Sequence, residues 1–377
     1  MKKTLAAVAV LGAFAGSALA ADVTLYGVLD TSLMYNHIDL DNGSDATDKL
    51  SMEAGQQSGN RFGFKGTEDL GNGLTVGFVL ENGFSGDTGA LKDKNSFFNR
   101  EASLFVQGAF GKIAFGKIGS INQGTSSWGK VGNYTSAFGT SNWGNYSAQA
   151  GSTFALDTVR DNTIAYETPS FAGAKVYAQY SMGDTVEGNV ENESSSNRYY
   201  VIGATYDNGP IGAYFAVDSI NYKSWNGAPV EVDDSLTVTL GFTYDFEVAK
   251  LFLGAQYFDE VAPFGNLIKD SSVGFAGKIK GYGLNVSTSV PVAGGKVLAG
   301  IGYVDAEAAD SVTAAANKDN EFQRYVVTAG YDYPFSKRTD VYAVASWMQD
   351  SVDYGVKGTD DRDLTAYTFV VGLRHKF

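Results

Sequence analysis

Cysteine is absent from the 377-residue sequence, and histidine occurs only twice, as His37 and His375. Without cysteine the chain has no disulfide, no thiolate zinc site and no thiol nucleophile. Neither histidine has a serine and a carboxylate placed with it by a recognisable motif, so a catalytic triad is not indicated. The triplet "GGK" (Gly294–Lys296) lacks the spacing before it and the Ser or Thr after it that a phosphate loop requires. We therefore expect no enzymatic activity, no cofactor and no metal site.

Long apolar runs are also missing after the first twenty residues. The start, "MKKTLAAVAVLGAFAGSALA", has two lysines followed by an apolar stretch too short to span a bilayer. It closes with Ala18-Leu19-Ala20, an A-x-A cleavage sequence, so we predict that residues 1–20 are a secretory signal. The mature chain, 21–377, would be a single domain, and the loss of two lysines would change the net charge from −14 to −16. So acidic a chain is not expected to bind nucleic acid.

Proline is rare, with six residues, whereas glycine reaches 46 and the 22 tyrosines and 24 phenylalanines add a large aromatic share. This composition favours strands and tight turns. The last segment, "LTAYTFVVGLRHKF" (Leu364–Phe377), shows the pattern, because Tyr367, Phe369 and Val371 alternate with other residues and give the strand one apolar face. Only alternate residues of a membrane barrel face lipid, so low mean hydropathy does not exclude that class of protein.

Sixteen windows with this period follow one another from Val23 to the C-terminus, and their connections alternate in length. The short connections lie at about 71–73, 110–111, 171–173, 208–209, 247–248, 293–294 and 336–338. The long connections lie at about 36–59, 85–96, 121–161, 184–196, 223–234, 260–271, 307–320 and 351–363. The alternation predicts an all-β fold, a 16-stranded antiparallel transmembrane β-barrel with short periplasmic turns and long extracellular loops. A water-soluble β-helix or tandem β-sandwiches would not give one class of turn and one class of loop in strict succession.

The two ends of such a barrel must pair with each other. Inside hydrocarbon no water can satisfy the edge of a terminal strand, so we expect the last strand to pair with the first one. Phe377 would then lie at the membrane interface, within a girdle of aromatic residues.

Four segments carry a family resemblance. They are "VTLYGVLDTSL" (Val23–Leu33), "SGNRFGFKGTEDLGNGLTVGFVLENGF" (Ser58–Phe84), "FFNREASLFVQGAFGKIAFGK" (Phe97–Lys117) and "RDNTIAYETPSFAGAKVYAQY" (Arg160–Tyr180). They resemble the general porins of β-proteobacteria, of the neisserial and comamonad type. The resemblance implies a homotrimer of sixteen-stranded barrels in the Gram-negative outer membrane, in contact with lipid and lipopolysaccharide. It also implies passage of ions and small hydrophilic solutes.

The same resemblance gives roles to two further parts of the chain. The third long connection, about 121–161, is expected to fold into the lumen and narrow it. The C-terminal strand that ends in Phe377 resembles the signal that the barrel-assembly machinery recognises.

Strand parity selects the first candidates for residues that line the pore. Arg61 and Lys65 alternate with Phe62 and Phe64, so they should face the lumen, and the same argument places Glu81 inside. A basic group on the lipid side would cost roughly 2–4 kcal/mol at mid-membrane, which favours the inward direction.

The resemblance adds candidates at the constriction. It implies that Arg100, in "FNRE", and Arg160, just before "DNTIAY", line the narrowest part, and Lys117 stands where the family usually has an arginine. Asp157 and Glu81 are the candidates for an acidic side that faces these bases and creates a transverse field.

Parity conflicts with this role for Arg100. The residue shares its phase with Phe98, Leu104 and Val106, which should face lipid. A bulge, or a position above the membrane, would resolve the conflict.

Acidic residues cluster in three predicted long loops, as Asp39, Asp41, Asp45 and Asp48, as Glu187, Glu191 and Glu193, and as Asp360, Asp361 and Asp363. Either they bind divalent cations that bridge lipopolysaccharide or they are simply solvated. Because they attract cations toward a basic constriction, the sequence does not determine the net ion selectivity.

The function expected first is a general-diffusion porin. The alternatives are a substrate-selective channel, for phosphate, organic acids or sugars, and a closed barrel with a structural or adhesive role.

We predict that Arg61→Glu combined with Arg160→Glu shifts ion selectivity toward cations, because two positive charges at the expected constriction become negative. The measurement is the reversal potential across a planar bilayer in a potassium chloride gradient. An unchanged reversal potential would remove both arginines from the constriction.

Overall fold

The computed structural model describes residues 22–41, 45–124, 126–144, 146–183, 196–225, 228–229, 233–264, 277–311, 319–354 and 361–377. The predicted signal with Ala18 and Ala20 lies outside these residues, as do the acidic residues Glu187, Glu191, Glu193 and Asp360. Among the residues described, no helix has the length and apolar character needed to cross a membrane.

Strands dominate the structure. They are β1 (Thr24–Asp39), β2 (Thr47–Ala54), β3 (Arg61–Gly71), β4 (Leu74–Gly83), β5 (Glu101–Gly108), β6 (Gly111–Gly119), β7 (Val159–Glu167), β8 (Ala174–Ser181), β9 (Arg198–Asn208), β10 (Ile211–Asn221), β11 (Ser224–Trp225), β12 (Ala228–Pro229), β13 (Leu236–Asp245), β14 (Lys250–Val261), β15 (Ile279–Val292), β16 (Gly295–Ala308), β17 (Glu321–Pro334), β18 (Thr339–Asp353) and β19 (Arg362–Lys376). Two single-turn helices, α1 (Gly132–Thr135) and α2 (Ala150–Thr153), lie between β6 and β7.

The strands form one closed antiparallel sheet, with β11 and β12 apart from it as a small hairpin. In the part of the chain that the structure describes, seventeen strands fill sixteen positions of the barrel, because β2 and β3 share one. β2 pairs with the C-terminal part of β1, from Thr31 to Ile38, and β3 pairs with its N-terminal part, from Thr24 to Val28. The predicted sixteen-stranded barrel is confirmed.

The prediction of a long connection at 36–59 is wrong. β1 continues to Asp39, and β2 covers residues 47–54, so Asp39 and Asp48 lie in strands. β2 exposes Leu50 and Met52 on the outer surface, which is the alternation that a barrel strand needs. The acidic character of this segment masked that alternation.

The barrel closes between β1 and β19, which pair from Val28 and Lys376 to Asp39 and Thr365. Beyond the ladder, Gly27 N donates to Phe377 O at 3.0 Å and Phe377 N donates to Gly27 O at 3.1 Å. The last residue of the chain therefore completes the seam. Pairing the two terminal strands removes both sheet edges, as the sequence predicts.

The two faces of the barrel wall differ in polarity as the period predicts. On β19, Phe369 and Val371 are exposed on the outside, whereas Ala366 and Val370 are buried inside. Phenylalanines also mark the end of the barrel that carries the short turns, where Phe110, Phe171, Phe246, Phe335 and Phe377 are all exposed. Aromatic residues prefer the interface between hydrocarbon and water, so this ring is what a barrel in a membrane would show at its short-turn end.

We predict that Phe377→Ala lowers the yield of folded, heat-modifiable barrel. The ring lies directly over Gly27, and its loss at the seam should cost about 1–2 kcal/mol, because it is half-exposed and full burial of such a side chain contributes roughly 1.5–3 kcal/mol. Refolding yield in detergent or lipid is the measurement. Phe246→Ala is the control, since Phe246 has a similar exposure in the same ring but lies away from the seam. Equal yields for the two variants would contradict the prediction.

Candidate functional site

The long connection between β6 and β7, residues 120–158 and here called L3, lies inside the barrel; its residues 125 and 145 are outside the described part. Its backbone forms hydrogen bonds with inward-facing side chains of four strands, β8, β14, β15 and β17. Ile121 N donates to Gln179 Oε1 at 3.0 Å, Ala155 N to Gln256 Oε1 at 2.6 Å, Ala137 N to Ser287 Oγ at 2.9 Å and Ala148 N to Thr328 Oγ1 at 2.8 Å. Each bond satisfies a buried or partly buried amide that would otherwise lack a partner, at a cost in free energy. L3 therefore follows the inner wall, as the resemblance implies.

The tip of L3 reaches the break between β2 and β3. Trp143 N donates to Gln56 O at 2.7 Å, and Gly144 N donates to Gln56 Oε1 at 3.0 Å. The Trp143 ring also packs edge-on against Tyr342 of β18, with ring centroids 5.5 Å apart. L3 thus extends from β6 around the lumen to the strand break just before Arg61.

A charged cluster occupies the inner side of β3 and β4, with Glu81 at its centre. Glu81 Oε1 accepts a hydrogen bond from Arg100 Nε at 2.6 Å. Glu81 Oε2 accepts one from Tyr26 OH at 2.9 Å and lies 3.5 Å from Arg61 Nε. The Arg61 side chain is 27% exposed, against 14% for Arg100 and 9% for Glu81, so Arg61 is the most accessible of the three.

Lys65 extends this cluster along β3. Its Nζ lies 5.1 Å from the centroid of the Tyr26 ring, the ring whose hydroxyl bonds Glu81. A cation over an aromatic face is attracted by the electron density of the ring. The cluster therefore holds three basic side chains, Arg61, Lys65 and Arg100, around one carboxylate.

Glu101 fastens L3 beside this cluster. Its Oε2 accepts a hydrogen bond from Ser127 N at 2.9 Å, and its Oε1 accepts from Ser127 Oγ at 2.9 Å and from Ser103 Oγ at 2.8 Å. Glu101 is 1% exposed, so its carboxylate interacts with these donors and does not contact the water of the lumen. Sequence reasoning did not select this residue, although inward parity next to Arg100 is a signal that could have found it.

Arg160 and Asp157 form a second pair where L3 returns to the wall. Arg160 Nη2 lies 2.6 Å from Asp157 Oδ1, and Arg160 Nε donates to the same carboxylate at 3.1 Å. The guanidinium lies 5.3 Å from the centroid of the Tyr199 ring, and Tyr199 OH donates to Asp218 Oδ2 at 3.1 Å. Such a two-pronged contact fixes the orientation of the arginine as well as its charge.

Lys117 lies in a third pair, with a partner that the sequence did not indicate. Its Nζ is 2.5 Å from Asp161 Oδ1. The ladder between β6 and β7 changes register between Gly116 and Ile118, so Lys117 lies in a bulge. Bulges direct a side chain away from the regular alternation, which is why parity did not place it.

The structure brings the predicted residues together in two groups, Arg61 with Glu81 and Arg100, and Arg160 with Asp157. The predicted acidic side facing the bases across the pore differs from the structure, because Glu81 and Asp157 each lie 2.6 Å from an arginine. An adjacent cation stabilises a partly buried carboxylate more than a distant one does, which accounts for these short pairs.

The parity conflict at Arg100 also has a structural answer. β5 begins at Glu101, so Arg100 precedes the first residue of the strand and the alternation does not apply to it. Its side chain turns to Glu81 on the inner face of β4.

The chain is similar to known proteins along its whole length. A family model described as Gram-negative porin matches residues 6–353. An outer membrane porin protein of Bordetella pertussis is 32% identical over all of both chains, and the major outer membrane protein P.IB of Neisseria gonorrhoeae is 30% identical over all of both chains. Among solved structures, an anion-selective porin from Comamonas acidovorans matches with a TM-score of 0.65 and 25% identity, over 95% of this chain and 100% of that one.

A closed barrel with a long loop lodged in its lumen, and a charged cluster beside that loop, defines a diffusion channel. With the match over residues 6–353, the chain belongs to the Gram-negative porin family. It is an outer-membrane porin of a Gram-negative bacterium, as its relatives are, and the predicted family, location and transport function are confirmed.

We predict that Glu81→Gln raises the preference for anions. The change leaves Arg61 and Arg100 without their carboxylate, and a unit charge at about 4 Å is worth roughly 1 kcal/mol in water-like surroundings, so the chloride-to-potassium permeability ratio should rise about fivefold. The reversal potential in a potassium chloride gradient measures it. Glu68→Gln, at an exposed position near the periplasmic end of β3, is the control and should leave the ratio unchanged. A ratio that stays at the wild-type value in both variants would place Glu81 outside the ion path.

Proposed function

We propose that the gap between L3 and the inner side of β3 and β4 is the constriction of this porin and that it favours small anions. The observation that carries the proposal is the balance of charge around Glu81, where three basic side chains, Arg61, Lys65 and Arg100, outnumber Glu81 and the buried Glu101 opposite it. In a narrow passage with walls of low dielectric, such a surplus attracts anions and raises the barrier for cations.

The pairs Arg160–Asp157 and Lys117–Asp161 have a different role in the proposal. Each is neutral as a pair, so it adds little to the net field of the constriction. Each still presents a fixed dipole to the lumen, and polar solutes find aligned partners there while apolar solutes must disrupt ordered water. The Arg160 pair also fixes the point where L3 rejoins the wall.

A related structure supports the preference for anions. The porin from Comamonas acidovorans that matches this chain at 25% identity is described as anion-selective. We expect the same fold, with the basic surplus of the cluster around Glu81, to favour anions in this protein as well.

We further propose the form in which the protein works. Residues 1–20 are removed during export, and residues 21–377 form the barrel. Three copies associate in the outer membrane in contact with lipid and lipopolysaccharide, and the strand ending in Phe377 is the signal for the assembly machinery. Transport is passive diffusion of ions and small hydrophilic solutes, with no catalytic step.

The test is reconstitution of the purified protein in a planar lipid bilayer with a potassium chloride gradient. We expect stepwise openings in groups of three and a reversal potential displaced toward that of chloride. Arg61→Gln with Arg100→Gln should move the reversal potential toward that of potassium, whereas Lys337→Gln, in the exposed short turn between β17 and β18, should not.

Three other outcomes would contradict the proposal. A reversal potential displaced toward potassium in the wild type would overturn the anion preference. A saturable block by one solute would indicate a substrate-selective channel, and a folded, inserted protein that passes no current would indicate a closed barrel.

A further inference from the structure

Five glycines form a compact patch on the inner wall, opposite the charged cluster along the path of L3. This patch, here called the glycine seat, consists of Gly241 on β13, Gly254 on β14, Gly283 on β15, and Gly300 and Gly302 on β16. All five are buried. In the sheet, Gly241 is directly opposite Gly254, and Gly254 is opposite Asn285, whose other neighbour is Gly302.

L3 lies so close to the glycine seat that a side chain does not fit between them. A Cβ on Gly283 would lie 1.7 Å from Thr153 O, and one on Gly302 would lie 2.5 Å from Thr153 Cγ2. A Cβ on Gly254 would lie 2.8 Å from Phe154 Cζ. Non-bonded heavy atoms in favourable contact are about 3.5–4.0 Å apart, so L3 would have to move inward by roughly 1.8 Å or more to accept alanine at Gly283.

Hydrogen bonds on the same and the next strands hold L3 at this distance, independently of the glycines. Gln256 bonds both the N–H and the C=O of Ala155, and Asn285 Nδ2 donates to Ala148 O at 2.9 Å. Arg324 Nη1 donates to Ser152 O at 2.9 Å.

Arg324 is itself fixed by a fully buried ion pair. Its Nη2 lies 2.6 Å from Asp350 Oδ2, and its Nε donates to Asp350 Oδ1 at 2.7 Å. A buried charge stays satisfied only if its geometry is kept, so Arg324 cannot follow a displaced loop without cost.

We infer that the glycine seat sets the width of the aqueous passage. Because the glycines of β13 to β16 have no side chains, the backbone of L3 lies directly against this wall. L3 is therefore farther from the opposite wall, and the aqueous passage next to Arg61 and Arg100 is wider. The inference goes beyond the proposed anion preference, because the charged cluster determines which ions are favoured whereas the glycine seat determines how large a solute fits.

The experiment compares Gly283→Ala with Gly330→Ala. Gly330 faces inward on β17, and a Cβ there would lie 3.1 Å from Ala343 O and Val344 Cγ2 of the neighbouring strand. The nearest L3 atom, Phe138 Cε1, would be 3.8 Å away, an ordinary contact. We expect Gly283→Ala to lose single-channel conductance and to exclude sugars that the wild type admits in a liposome-swelling assay. Gly330→Ala should match the wild type in both assays, and the sign of the reversal potential should be the same in all three proteins.

A second variant keeps the test decisive if Gly283→Ala does not fold. Gly254→Ala is milder, because its closest contact is the end of the Phe154 ring, and it should show a smaller loss in the same direction. Folding is checked by heat-modifiable migration.

Folded Gly283→Ala or Gly254→Ala with wild-type conductance and size limit would overturn the inference. Failure of both to fold, while Gly330→Ala folds, would assign the glycines to barrel assembly and overturn it as well. A reversal potential displaced toward potassium in all three proteins, with the loss of conductance confined to Gly283→Ala, would count against the charged cluster and not against the glycine seat.

Discussion

The structure depends on one constraint, that hydrocarbon offers no partner for a backbone N–H or C=O. A sheet in that medium must close on itself, because each open edge would leave a row of unpaired groups. The pairing of β1 with β19, completed by the two bonds between Gly27 and Phe377, meets this requirement. The continuous ladder also explains how an exported chain of this length holds together without cysteine, since the closed sheet already joins its first strand to its last.

Closure creates an interior, and the rest of the chain determines how much of it stays open. L3 follows the wall from β8 to the β2–β3 break, held by wall side chains that bond its amides. The charged residues on the inner side of β3 and β4 surround Glu81 in the space beside it. The two sides of the barrel therefore differ. Polar and small residues on one side contact L3, and charged residues on the other side line the aqueous passage.

The alternation of residues predicts most of the wall and some of the site. It places Arg61, Lys65 and Glu81 inside because they lie on regular strands. It fails for Arg100, which precedes β5, and for Lys117, which lies in a bulge, because both positions leave the period of two. The alternation also does not predict which side chains form hydrogen bonds or ion pairs with each other. The bonds of Glu101 to Ser127 and of Lys117 to Asp161 join segments far apart in sequence, and β2 was hidden by its acidic residues. Contacts of L3 with the wall depend on the closed barrel and have no local signal.

The tip of L3 lies at both sides of the seam. Gly144 packs against Thr368 and Val370 of β19, and with Trp143 it bonds Gln56, between β2 and β3. These contacts are complete only when the last strand has reached the first in the correct register. In a seam shifted by two residues, the tip could not keep both its hydrogen bonds to Gln56 and its packing against Thr368 and Val370. A loop from the middle of the sequence thus contacts both ends of the chain across the seam, and its contacts fit one register of the closed barrel.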